Sequence, residues 1–109
     1  MPIFQIAEYQ VKPSAVAKIR EAIQQFVHSV EINEPGTLLY SAWEQCDQPE
    51  RFTHFFVFEN AAAREKHHTS KARKTFEAVC APELSGEGVV STDYDQVATN
   101  QWLQTAVTR

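Results

Sequence analysis

Several residues that usually announce a function are scarce in this chain. It holds two cysteines, three glycines and one methionine among 109 residues. Cys46 and Cys80 stand far apart with no C-x-x-C spacing, so neither a zinc site nor a disulfide framework is expected. There is no G-x-G-x-x-G run of the kind that cradles a flavin or nicotinamide, and no cofactor is expected. No apolar run approaches the length needed to cross a membrane, and MPIFQIAEYQ has no basic segment before an apolar core, so no signal peptide is expected and the cytosol is the default compartment. Positive charge is also short: 10 Lys and Arg against 14 Asp and Glu give a net charge of −4, which argues against general binding of nucleic acid or anionic membranes. Internal repeats and low-complexity tracts are absent.

What is present is the composition of a globular protein, 43% hydrophobic and 22% charged. A chain of this length makes one domain and buries roughly two-thirds of its unfolded surface. Ile3 to Val11 has strand composition, and Lys12-Pro13-Ser14 supplies a helix start. Val16, Ile19, Ile23, Phe26, Val27 and Val30 then fall within an arc of about 100° on a helix, with Lys18, Glu21, Gln25 and His28 opposite. Asn33-Glu34-Pro35-Gly36 ends that helix, because proline cannot continue it and glycine permits the reversal.

Thr37 to Gln45 reads as a second strand, Cys46 to Arg51 as a turn, and Phe52 to Glu59 as a third strand. Asn60 can cap a helix from Ala61, and Ser70 a second one in which Ala72, Phe76, Val79 and Cys80 share a face until Pro82. Ser85-Gly86-Glu87-Gly88 reads as a loop and Val89 to Ala98 as a fourth strand. The order is β-α-β-β-α-β with the second helix broken, an α+β, ferredoxin-like arrangement. Residues 1–98 are expected to form the domain and 99–109 a C-terminal tail.

Both faces of the central strands are apolar. His54, Phe56 and Phe58 alternate with Phe55 and Val57, and Leu38, Tyr40 and Ala42 with Leu39 and Trp43. Two helices cover only one face of a four-stranded sheet, so the other needs a cover. A second copy of the chain is the favoured one, giving a homodimer. The alternative is the tail folding back through Trp102, Leu103 and Val107.

The stretch FFVFENAAAREKHHTSKARKTF, from Phe55 to Phe76, carries the chemistry. With Ala63 at 0° on the helix, His67 falls at about 40° and His68 at about 140°, so His67 is expected to point inward and His68 to water. A polar side chain entering an apolar interior is either satisfied there or serves a ligand. His67 is accordingly either a core histidine, bonded to a backbone carbonyl or to Glu59, or a proton shuttle facing a pocket among small alanines. Adjacent histidines diverge on a helix, and even with His54 approaching from the sheet no third ligand is evident, so no metal site is expected. Tyr40, Trp43, His54, Phe56 and Phe58 are core aromatics and histidine that would wall any cavity between sheet and helices; a planar aromatic substrate would stack on such rings, with Tyr40 or Tyr9 as a phenol donor. Arg64, Lys66, Lys71, Arg73 and Lys74 form a local cationic run, either a solvated helix face or the rim of a site that draws in an anionic substrate.

The element order, the Glu34-Pro35-Gly36-Thr37 turn and the block A-A-x-x-x-H-x-x-S from Ala62 to Ser70 resemble the antibiotic biosynthesis monooxygenase (ABM) domain, over about Ile3 to Val97. That resemblance implies a dimeric α+β barrel. Members of the family include cofactor-independent monooxygenases of aromatic polyketides, quinol monooxygenases, haem-degrading enzymes and an isomerase of a phosphorylated signalling molecule. Many continue the block as S-P-H-F, whereas this chain reads Ser70-Lys71-Ala72-Arg73, which replaces a pocket-closing aromatic by a cation and makes Arg73 a candidate substrate contact. The haem degraders use an Asn, a Trp and a His ligand where this chain aligns Tyr9, His67 and Glu77, so haem degradation is not expected. The resemblance implies monooxygenation of a small aromatic or quinol-like substrate with His67 as the base. The alternatives are isomerisation of a phosphorylated carbonyl compound by His67 and Lys71, or a non-catalytic binding dimer.

Overall fold

In the computed structural model, which describes residues 1–100, the elements run β1 (Ile3–Val11), α1 (Val16–Asn33), β2 (Thr37–Gln45), β3 (Gln48–Phe58), α2 (Ala61–His68), α3 (Lys71–Cys80) and β4 (Leu84–Tyr94). The strands form one antiparallel sheet in the order β2-β3-β1-β4. This is the expected ferredoxin-like α+β fold with its second helix in two pieces. Asn60 and Ser70 cap those pieces as anticipated, their side chains accepting from the backbone N–H of Ala63 and Arg73.

The core lies between one sheet face and the helices. Tyr9, Val11 and Phe52 from the strands meet Ile19 and Ile23 of α1 and Cys80 of α3, and a second cluster joins Ala7, Phe56 and Phe58 under α2. Val11, Ile19 and Phe58 are fully buried there, and Val57 is fully buried on the opposite sheet face; each such side chain contributes about 1.5–3 kcal/mol relative to exposure. Gly36 is where α2 docks against the start of β2. A methyl group there would sit 2.7 Å from the Ala63 Cβ, so only glycine allows this approach.

Two boundaries differ from the sequence reading. The segment expected to be a turn at Cys46 to Arg51 shrinks to Cys46-Asp47, because β3 starts at Gln48. Pro49, within that stretch, sits where the β2–β3 register shifts between Glu44 and Gln45, an irregularity that tolerates a missing N–H. The fourth strand runs from Leu84 to Tyr94, not Val89 to Ala98. Gly86 and Gly88, at φ 73° and 83°, bulge out of it where the β1–β4 register shifts between Glu8 and Gln10. The loop signal was thus a bulge inside a strand. Trp102, Leu103 and Val107 of the tail lie outside the described residues.

Candidate active site

A cavity of about 360 Å³ opens between the helix-facing side of β1 and β4 and the broken helix. Its floor is Gln5, Ala7 and Tyr9 of β1 with His54 and Phe56 of β3, and its roof is His67, His68, Arg73 and Phe76. Phe26 of α1 closes one side and Val89, Ser91 and Asp93 of β4 the other. The volume is that of a small-molecule site, mostly apolar with a few convergent polar groups.

His67 is 3% exposed, and its Nδ1 lies 2.8 Å from Glu34 Oε1. The sequence reading offered a backbone carbonyl or Glu59 as its partner; the partner is Glu34. Glu34 is the residue after α1, and Pro35 bars it from helical geometry, leaving it at φ −127°, ψ 75°. Its backbone carbonyl accepts from the Thr37 N–H and its Oε1 also accepts from Thr37 Oγ1, so the turn itself aims the carboxylate inward. Burial is the main influence on His67 and lowers its pKa, opposed by the bond to Glu34 and by its negative charge. The ring is therefore neutral near pH 7, with Nδ1–H donating to the carboxylate and Nε2 left as a lone pair. Among the described residues nothing hydrogen-bonds that Nε2, and it is not among the enclosed unsatisfied atoms, of which Ser85 Oγ is the single case. Phe26 stacks on the ring at 5.4 Å, and Phe56 and Phe58 flank it.

A second buried histidine stands behind the first. His54 is 3% exposed; its Nε2 lies 2.7 Å from the Tyr9 hydroxyl and its Nδ1 2.7 Å from the Tyr40 hydroxyl. Burial, then the neighbouring His67, pushes its pKa down to about 4, so it too is neutral. Burial likewise raises both phenols well above their ordinary value, and they keep their protons. Cys80 lines the cavity, but burial with Glu77 and Glu83 pushes its thiol up to about 11, which rules it out as a ready thiolate.

Of the residues singled out from the sequence, His67, His54, Phe56 and Arg73 line this cavity. Tyr40 packs behind the wall, 4.4 Å from the Phe56 ring, and reaches the site through His54. Trp43 is not brought in. Strand alternation sends it to the opposite sheet face, 53% exposed and stacked on Phe55. His68, expected to face water, is half-buried and lines the cavity together with Arg64. Ala63 faces Gly36, not the cavity, so the pocket-facing arc of α2 is centred further round the helix, between Arg64 and His68. Arg64 donates to both Asp93 oxygens, and Arg73 donates to the His68 carbonyl and pairs with Glu77, so the rim cations are largely met. Lys66 and Lys71 line instead a second, larger cavity of about 620 Å³ between α1 and α3, which Glu34 also lines. Among the described residues no three His, Cys, Asp or Glu side chains cluster to hold a metal ion.

No curated protein matches the sequence. Solved structures do. A candidate antibiotic biosynthesis monooxygenase from Bacteroides thetaiotaomicron superposes with a TM-score of 0.83 at 13% identity, over 92% of this chain and 93% of that one. One from Caulobacter crescentus gives 0.82 at 22% over 89% and 91%, and one from Nitrosomonas europaea 0.79 at 20% over 88% and 90%. At these identities the likeness establishes the fold alone. The sequence carries the kinship further: the antibiotic biosynthesis monooxygenase family model matches residues 2–79, and the chain belongs to that family.

Proposed function

We propose that the protein is a cofactor-independent monooxygenase of small aromatic, quinol-like substrates, with His67 as general base. The observation that carries this reading is the buried Glu34–His67 pair, which holds Nδ1 and leaves Nε2 as a free acceptor among aromatic rings. A phenol or quinol packed against Phe56 and Phe76 in the cavity gives its proton to Nε2. The anion transfers one electron to dioxygen, and the substrate radical and superoxide combine to form a C–O bond. The resulting peroxide takes the proton back from His67 and then loses water. One oxygen atom stays as the new carbonyl and the other leaves in that water. The chain supplies a base, walls that exclude water, and hydrogen bonds to the substrate's oxygen.

Oxygen consumption with a naphthoquinol tests this directly. Uptake of one O₂ per substrate converted, unaffected by chelator, is the expected result, and no uptake above the spontaneous rate overturns it. Isomerisation by His67 with Lys71 is disfavoured, because Lys71 lines the other cavity, which His67 does not, and the cations of the His67 cavity already have carboxylate partners.

The working unit in this reading is a homodimer. Leu39, Trp43, Phe55, Ile6, Val90 and Tyr94 share the sheet face away from the helices, with Trp43, Val90 and Tyr94 each about half exposed. Apolar surface of that kind favours a cover, and a second sheet laid face to face supplies it. Light scattering in dilute buffer should give twice the chain mass; a monomer mass removes the dimer. No helix among the described residues is long and apolar enough to cross a membrane. Cys46 and Cys80 are both unpaired, which fits the reducing cytosol as the place of work.

A further inference from the structure

The Tyr9–His54–Tyr40 chain, buried at Tyr9 and His54 and half-buried at Tyr40, does not balance its protons within the protein. Two phenols and one neutral imidazole carry three protons, and the two hydrogen bonds between them use two. A neutral imidazole donates from one nitrogen and accepts at the other. One tyrosine therefore donates to His54, and the other accepts from it and keeps its own O–H proton uncommitted. Among the described residues no second acceptor lies within hydrogen-bonding distance of either phenol. A buried hydroxyl proton without an acceptor is costly, so the spare proton belongs where an acceptor can arrive. Tyr9, 5% exposed, lines the cavity, so a molecule bound there can supply its acceptor; Tyr40 is half-buried and does not line it.

We infer that Tyr9 is a ligand-binding hydrogen-bond donor: Tyr40 donates to His54 Nδ1, His54 Nε2–H donates to the Tyr9 oxygen, and the Tyr9 hydroxyl donates to an oxygen atom of the molecule in the cavity. This rests on the cavity being the ligand site, and it narrows the ligand class to planar aromatics bearing a phenolate, enolate or carbonyl oxygen. Tyr9 is suited to the task because it cannot ionise near neutral pH and so always offers a donor. Each link also polarises the next, so the terminal donor is stronger than an isolated phenol. His54 and Tyr40 act through Tyr9 and are positioning residues. The site then has two polar poles: Nε2 of His67 to take a proton and Tyr9 to hold the oxygen that becomes negative.

Two measurements test this. The first compares binding of 4-nitrophenolate with that of nitrobenzene, which fits the same walls but lacks the phenol oxygen. In Tyr9→Phe, affinity for nitrophenolate should fall about 10- to 100-fold, the usual worth of a hydrogen bond to a charged acceptor, with nitrobenzene unchanged. If both probes bind and Tyr9→Phe affects neither selectively, the inference fails and the cavity reading stands. If neither probe binds the native protein, both fail. The second measurement needs no variant. Imidazole ¹⁵N shifts should show His54 protonated on Nε2 and His67 on Nδ1, opposite tautomers in one spectrum. Protonation of His54 on Nδ1 would make Tyr40 the spare donor and overturn the assignment.

Discussion

His67→Gln should lower the rate of oxygen uptake by about 10²- to 10⁴-fold, the contribution of a positioned general base, while the protein stays folded. Glutamine retains an N–H that can donate to Glu34, so the buried carboxylate keeps a partner, but it has no basic atom to present to the cavity. His67→Ala should be as inactive and less stable, because it removes a ring packed on Phe26, Phe56 and Phe58 and leaves the Glu34 carboxylate with Thr37 alone. A mass still twice that of the chain in either variant would separate lost chemistry from lost assembly. Unchanged turnover in His67→Gln sinks the base assignment.

The pH dependence follows from the same residue. Only neutral His67 can accept a proton, and burial holds its pKa below the ordinary 6.5. The rate should therefore stay level through neutrality and fall only when pH drops through that lowered value. An acid limb above the ordinary histidine pKa would point to another base, since no influence large enough to raise His67 is present.

The fold was legible because each element carries a strong local signal. The apolar arc of α1 and the capping residues Asn60 and Ser70 have physical causes that act over a few residues, and the structure honours them. The misreadings came where tertiary pairing reuses a breaker residue: Pro49 at a register shift in β3, and Gly86 and Gly88 in a bulge of β4. Strand alternation correctly put His54 and Phe56 on one side, and the same alternation excludes Trp43 from the site. The inward aim of His67 was legible from Ala63, but its partner was not. Glu34 lies 33 residues away in a turn that looked purely structural, and only packing brings the two together at 2.8 Å. A signal did exist. A carboxylate placed directly before proline at a helix end cannot continue the helix, and the following turn can aim it at the core when a partner there offsets the cost of burial. The Tyr9–His54–Tyr40 chain had no local signature, because its members come from three strands and meet only once the register is set.

Glu34→Gln should cost nearly as much activity as losing the base itself, about 10²-fold or more in kcat with a smaller effect on KM. Glu34 does not line the cavity, so substrate binding need not feel the change. Its role is to hold the proton on Nδ1, and a carboxylate can only accept there. An amide can present its NH₂ group to the ring and stabilise the other tautomer, with the proton on Nε2. His67 would then face the substrate with a donor where a lone pair is needed. The charge matters as well. The bond to Glu34 and its negative charge both raise the His67 pKa against the effect of burial, and replacing the carboxylate removes that support. The acid limb of the rate profile should accordingly move to lower pH in Glu34→Gln even as the plateau falls. A carboxylate that merely braced the turn would reduce stability without shifting the limb, because the Thr37 contacts it makes do not reach the imidazole. A lowered melting temperature with an unmoved limb and an undiminished kcat would leave Glu34 as scaffolding and His67 without an orienting partner.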